Sequence, residues 1–291
     1  MASSESTAVE NDRVPGRLRL PQIFPHCENP ECPTRRNFWP PVRRRSTGIH
    51  LGRQWLCSPA CLERSLVGLF REIVANVRPW SPKPRRVPLG LLLLSRGVIA
   101  EEQLRVALER QRLAGREPLG YWLQEIGAAT EQDVTAALAI QWACPVFPLE
   151  RSASFRECVS MIPLPIVESA RMLPVHFLPH SNLFYAGFVE GVDHSVLTAV
   201  ERVLNCRALP CIIARPSFDR VFAEIRSLPN PELFRFESVV DPAEMSRITA
   251  SFAQQLSAKQ VVVAACREFA WIRFHSGTVE RDLLFRLPFA E

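Results

Sequence analysis

Residues Pro88–Gln111 read PLGLLLLSRGVIAEEQLRVALERQ, and residues Pro118–Gln141 read PLGYWLQEIGAATEQDVTAALAIQ. The second segment repeats the first at an offset of 30 residues. Nine of 24 positions are identical: Pro, Leu, Gly, Leu, Gly, Glu, Ala, Leu and Gln. These are scaffold residue types, so the repeat predicts two copies of one local geometry. In each copy a short helix starts near Leu89 or Leu119. It stops at Gly97 or Gly127, where glycine accepts the left-handed conformation that ends a helix. A second helix follows. In the second copy Thr130 is a good N-cap, and Asp133 stands at the capping-box position. Apolar Val134, Ala137, Leu138 and Trp142 then recur at helical spacing, matched in the first copy by Leu104, Ala107 and Leu108, with Gln111 closing it. Two such helix pairs predict a small helical bundle over residues 88–146.

Working outward, the pattern changes at Phe147. Val175–Leu178 and Leu183–Phe188 read as strands, Ser195–Leu204 as a helix, Leu209–Ala214 as a strand and Ser217–Ile225 as a helix. That order predicts a small α/β sandwich over 147–228. The breaker Leu228-Pro229-Asn230-Pro231 separates it from a last α+β segment, 232–291, with a helix at Pro242–Leu256 and strands at Val261–Ala265, Ala270–Phe274 and Leu283–Phe285. On the other side, residues 78–87 carry three prolines and predict a stiff Pro/Arg-rich linker. Residues 21–77 hold four of the nine cysteines, and residues 1–20 form a polar tail expected to be disordered. The fold class is therefore α+β multidomain: a zinc-finger-like module, a helical repeat bundle and a small α/β sandwich.

Composition closes several doors. The twelve glycines offer no pair separated by one residue, so the dinucleotide-binding fingerprint is absent. Only Gly115 and Gly120 have phosphate-loop spacing, and Tyr121-Trp122 follow where Lys-Ser/Thr is required. No apolar run approaches the roughly 20 residues of a membrane span. No signal-peptide core is present in the first 25 residues, so the chain is expected to be cytoplasmic, with reduced cysteines. The net charge is +5, with +8 carried by residues 1–86 and −3 by the rest.

Cys27-x4-Cys32 and Cys57-x3-Cys61 are two close pairs separated by 24 residues, the arrangement of a structural zinc site. Four protein ligands leave no place for water, so the expected role is structural. His26 and His50 are lesser substitutes, and four unrelated reduced cysteines are the plain alternative. The segment Trp55-Leu56-Cys57-Ser58-Pro59-Ala60-Cys61 resembles the knuckle and helix start of MYM- or TRASH-type treble-clef fingers. Cys144, Cys158, Cys206, Cys211 and Cys266 show no such spacing and are expected in the core.

The double motif of Leu-Gly, an apolar run, Gly and a capped helix ending Ala-Leu-x-x-Gln resembles the MshEN domain, the N-terminal domain of type II secretion and type IV pilus assembly ATPases. Ile162-Pro163, Leu173-Pro174-Val175, Leu183–Gly187 and Ala199–Leu204 are similar to the second part of that region. Arg247–Lys259, Gln260–Ala265 and Trp271–Phe274 are similar to the start of the domain that follows. The resemblance covers about 87–228, without the ATPase core. In that family the repeats bind cyclic di-GMP, and the resemblance implies Leu89, Gly90, Leu93, Gly97, Leu104, Leu108 and Gln111 in the first copy. In the second it implies Leu119, Gly120, Leu123, Gly127, Val134, Leu138 and Gln141. The Leu-Gly step is expected to let a guanine approach the backbone, and the closing Gln to hydrogen-bond it. This chain departs from the motif where Pro88 and Pro118 replace a leading basic residue, and where Trp122 and Gln124 replace aliphatic ones. By themselves, the same leucines read equally as the core of a ligand-free interaction module.

The expected function is that of a non-enzymatic regulatory or adaptor protein with a protein partner in a secretion or pilus-type assembly, binding cyclic di-GMP. The alternative is a zinc-finger nucleic-acid-binding protein. It rests on Arg35-Arg36, Arg43–Arg45 and Arg85-Arg86, with Phe38, Trp39 and Trp55 for stacking. No Ser/His/Asp or His/Glu constellation points to an enzyme.

Overall fold

The computed structural model describes residues 26–33, 48–78, 86–115, 117–149, 155–227, 233–277 and 279–288. The expected tail, linker residues 79–85 and the basic stretch 35–45 lie outside them. Among the described residues the chain opens with a hairpin, β1 (Ile49–Leu51) and β2 (Gln54–Leu56), followed by α1 (Pro59–Asn76). Ser58 caps α1: its hydroxyl accepts from the Cys61 N–H at 3.3 Å, and Pro59 opens the helix, where no N–H is needed. Cys61, Leu62, Leu66, Phe70 and Ile73 form its buried face.

The repeat forms α2 (Leu89–Ser95), α3 (Glu101–Ala114), α4 (Leu119–Glu125) and α5 (Glu131–Trp142). Gly97 and Gly127 take φ of 69° and 70°. They close α2 and α4 with the same paired bonds. Gly97 N–H donates to the Leu94 carbonyl at 2.9 Å and Val98 N–H to that of Leu93 at 3.0 Å. Gly127 and Ala128 do the same to Gln124 and Leu123, at 2.9 Å each. The two copies exchange partners: α2 packs on α5 and α4 on α3. Leu93, Leu123, Ala107 and Ala137 fill the interior of this pseudo-symmetric bundle.

Next come α6 (Phe155–Cys158), α7 (Leu164–Ala170), β3 (Met172–Leu178), β4 (Leu183–Phe188), α8 (His194–Leu204), β5 (Arg207–Ile212) and α9 (Arg215–Arg226). β3 and β4 pair antiparallel, and β5 lies parallel to β4 because α8 carries the chain back across the sheet. This is the expected sandwich, with element ends displaced by one to three residues.

The chain ends with β6 (Leu233–Phe236), α10 (Pro242–Gln255), β7 (Gln260–Cys266), β8 (Phe269–Ser276) and β9 (Val279–Arg286). The cysteine-bearing stretch and this last segment were expected as separate units, yet they share one sheet, in the order β2-β1-β7-β8-β9-β6. β1 runs parallel to β7, with His50 opposite Gln260 and Leu51 opposite Val261, and α1 packs along α10. The reason lies in the period-2 alternation of the central strands, which is apolar on both faces. Val261, Val263, Ile272 and Phe285 join the core beneath α1 and α10, while Val262, Ala264, Trp271 and Leu284 join the core that holds α8. Polar links reinforce the second face. The buried Asp193 caps α8 and pairs with Arg267 at 2.8 Å, and the buried Arg273 bonds Asp282 and the Met161 carbonyl.

Candidate functional site

The four cysteines expected as metal ligands come together. Their sulfurs all lie within 4.8 Å of one another, with Cys32–Cys57 at 3.6 Å and Cys57–Cys61 at 3.8 Å. Tetrahedral coordination at a zinc–sulfur bond of about 2.3 Å requires sulfurs about 3.8 Å apart, so the cluster fits a single ion. The placement follows from local chemistry. Cys57 ends the hairpin, the Ser58-Pro59 start puts Cys61 in the first turn of α1, and the Cys57 N–H points at the Cys27 sulfur at 3.5 Å. Burial pushes the Cys27 thiol up to about 12. His26 and His50 are not part of the group. Trp55, expected as a surface for a nucleobase, is half-buried and lies against Gly48.

Of the remaining cysteines, expected in the core, Cys158, Cys211 and Cys266 are buried there, while Cys144 and Cys206 are half-buried against it. Burial pushes the thiols of Cys158 and Cys211 up to about 12 and that of Cys206 up to about 11, so none is a ready nucleophile.

The repeat places its candidate residues in three different settings. Leu93 and Leu123 are fully buried, and Gly97 and Gly127 serve the helix ends. Gly90 and Gly120 serve helix packing. A Cβ on Gly90 would stand 2.6 Å from Leu104 Cδ1 and 3.1 Å from Leu119 Cδ2. One on Gly120 would stand 2.7 Å from Val134 Cγ1 and 3.5 Å from Leu89 Cδ2. Each glycine thus admits the second helix of its own copy and the leading leucine of the other. The closing glutamines are crossed in the same way. Gln111 Nε2 donates to the Glu117 carbonyl at 3.1 Å and Gln141 Nε2 to the Val87 carbonyl at 2.7 Å. Each holds the residue before the Pro-Leu-Gly turn of the opposite copy.

The third setting is a cavity of about 480 Å³ between the second copy and the sandwich. Leu89, Leu119, Gly120, Val134, Leu138 and Gln141 line it, so it touches both Pro-Leu-Gly turns. The first copy differs here: Leu108 and Leu91, equivalent to Leu138 and Tyr121, are exposed. Several lining residues have no motif position. Arg86 stacks on the Trp142 ring with its guanidinium carbon 4.0 Å from the centroid, and it donates to the Gln141 carbonyl at 2.6 Å. The Trp142 indole N–H is buried without an acceptor among the described residues. Tyr121, Gln124, Glu131, Glu190 and Arg215 complete the polar lining. Arg86 was visible as a nearby cation outside the register. No local pattern ties Arg215 or Glu190, which come from the sandwich, to the repeat.

This chain is similar to several solved structures. One, described as the structure of MshE with cdg, is 25% identical and matches 48% of this chain and 99% of that chain, at a TM-score of 0.42. The N-terminal domain of XpsE, in two crystal forms, is 16% identical. Those matches cover 46% and 50% of this chain and 91% and 98% of theirs, at TM-scores of 0.36 and 0.28. The likeness takes in about half of this chain. No protein-family model matches the chain, and no curated protein matches it. Among the described residues no helix is long and apolar enough to cross a membrane.

Proposed function

We propose that this chain is a non-enzymatic regulatory or adaptor protein of the secretion or pilus-assembly type, working in the cytoplasm, and that its cavity binds cyclic di-GMP. One observation carries the reading: both Pro-Leu-Gly turns face a single cavity in which Arg86 lies stacked on Trp142. Pro88 and Pro118 leave the motif without its leading cation, and Arg86 supplies a guanidinium from two residues upstream. A guanidinium held by a neutral carbonyl and a ring keeps donors for a phosphate or for the acceptor edge of a guanine. The resemblance of the repeat to the MshEN domain supplies the identity of the ligand. In the same reading Cys27, Cys32, Cys57 and Cys61 hold one zinc ion, which leaves no open position and serves the fold rather than chemistry.

The test is calorimetry on the full chain with cyclic di-GMP, using ATP and GTP as controls. The expected result is one cyclic di-GMP per chain and no hydrolysis of either control. Arg86→Ala should weaken binding about tenfold, the scale of one charge-assisted hydrogen-bonded contact. Undetectable binding at high micromolar ligand would leave the repeat as a docking surface for a partner protein.

A further inference from the structure

The sandwich reaches into the same cavity through Arg215, the first residue of α9. Its backbone N–H donates to Glu131 Oε1 at 2.9 Å, and its guanidinium Nη2 lies 3.0 Å from Glu117 Oε2. Glu117 immediately precedes Pro118, and its carbonyl is the one held by Gln111. The two cations of the cavity therefore differ. Arg86 has neutral partners, whereas Arg215 is already neutralised by a carboxylate of its own chain. The two carboxylates that line the cavity, Glu131 and Glu190, have partners of their own. Glu131 Oε1 also accepts from Thr135 Oγ1 at 3.2 Å, and Glu190 pairs with Arg171 at 3.1 Å.

We propose that Arg215 is an anion-binding residue of this cavity, and that Glu117 is an internal stand-in which an entering phosphodiester displaces. The inference rests on the reading of the cavity as a cyclic-dinucleotide site. A phosphodiester presents two anionic oxygens in the same forked pattern as a carboxylate, so it can replace Glu117 on the guanidinium. The side chains of Arg215 and Glu117 are 25% and 39% exposed, and an ion pair that accessible is weak enough to give way. The exchange transfers the link between α9 and the second repeat from Glu117 to the ligand. It also frees the residue that leads into the second Pro-Leu-Gly turn.

The experiment is calorimetric titration of the full chain with cyclic di-GMP at several salt concentrations. Wild type is compared with Glu117→Gln, Arg215→Ala and Arg215→Lys, and with Arg156→Ala, which removes an exposed pair with Glu224 outside the cavity. Glu117→Gln should tighten binding about threefold, because the competitor loses its charge. Arg215→Ala should weaken it about tenfold and flatten the salt dependence, Arg215→Lys should fall between, and Arg156→Ala should match wild type. The opposite signs separate this from a structural role, in which losing either partner of the pair would weaken binding. Wild-type binding that is unchanged in Arg215→Ala, or weakened in Glu117→Gln, overturns the proposal alone. No binding by the wild type overturns the reading of the cavity, and this proposal with it.

Discussion

Gly90 and Gly120 occupy equivalent positions but face neighbours of different stiffness. The atom nearest a Cβ at Gly90 is the tip of Leu104, a half-buried, flexible side chain. At Gly120 it is a branch methyl of the buried Val134. A β-branched residue in a helix has essentially one rotamer and cannot swing aside. Gly120→Ala should therefore destabilise the bundle by about 1–3 kcal/mol, the usual cost of overpacking. Gly90→Ala should be close to neutral, since Leu104 can yield and replacing glycine inside a helix returns roughly 0.5–1 kcal/mol. Denaturant unfolding of the two variants measures the difference. Equal losses would mean that the two copies are equally rigid. The need for small residues at these positions was legible in the repeat. Their reason was not, because sequence alone does not show whether a missing side chain makes room for a ligand or for a neighbouring helix.

At the scale of elements, the second helices of the two copies start differently. Thr130 Oγ1 accepts from the Asp133 N–H at 3.2 Å, and Asp133 Oδ2 accepts from the Thr130 N–H at 2.9 Å. In the first copy Ala100 offers no side chain, and only Gln103 reaches back, at 2.8 Å. Thr130→Ala should cost about 1 kcal/mol, typical of a lost N-cap. The bonds from Thr130 hold the Asp133 carboxyl below the usual aspartate range. A depressed carboxyl stabilises the fold above its unfolded value, near about 4, and that contribution is lost as pH falls through the lower folded value. Thermal unfolding should thus show wild type and Thr130→Ala drawing closer as pH falls from about 7 toward about 3, and a constant gap would deny the carboxylate its part. Such helix starts and stops could be read because each is set within a few residues. β1, β2 and β6 could not. Three or four residues are too few to show period-2 alternation, and β1 is a strand because β7 offers it a partner from the far end of the chain.

For the whole molecule, the shared sheet decides what metal removal does. An isolated finger would unfold alone and leave the last segment untouched. Here the four-cysteine cluster anchors α1 through Cys61, and α1 covers one face of β7, β8 and β9 with α10 beside it. Phe70 of α1 meets Phe285 of β9 edge-on, with ring centroids 5.9 Å apart. A structural zinc site contributes on the order of 10 kcal/mol, more than the hairpin and α1 could replace from their own contacts. Stripping the metal with a chelator, or Cys57→Ser, should therefore loosen residues 48–76 and also expose the α1-facing side of the terminal sheet. The other face stays packed on α8 and clamped by Asp193–Arg267 and Arg273–Asp282, so the sheet should lose protection without melting fully. The repeat shares no core with the cluster and should be unaffected. Amide exchange reads all three outcomes at once: fast exchange in 48–76, intermediate exchange in 260–286, and unchanged protection in 89–142. Full protection of 260–286 after metal loss would show that the terminal sheet stands without α1. Loss of protection in the repeat would show that the cysteine-bearing layer supports the repeat itself.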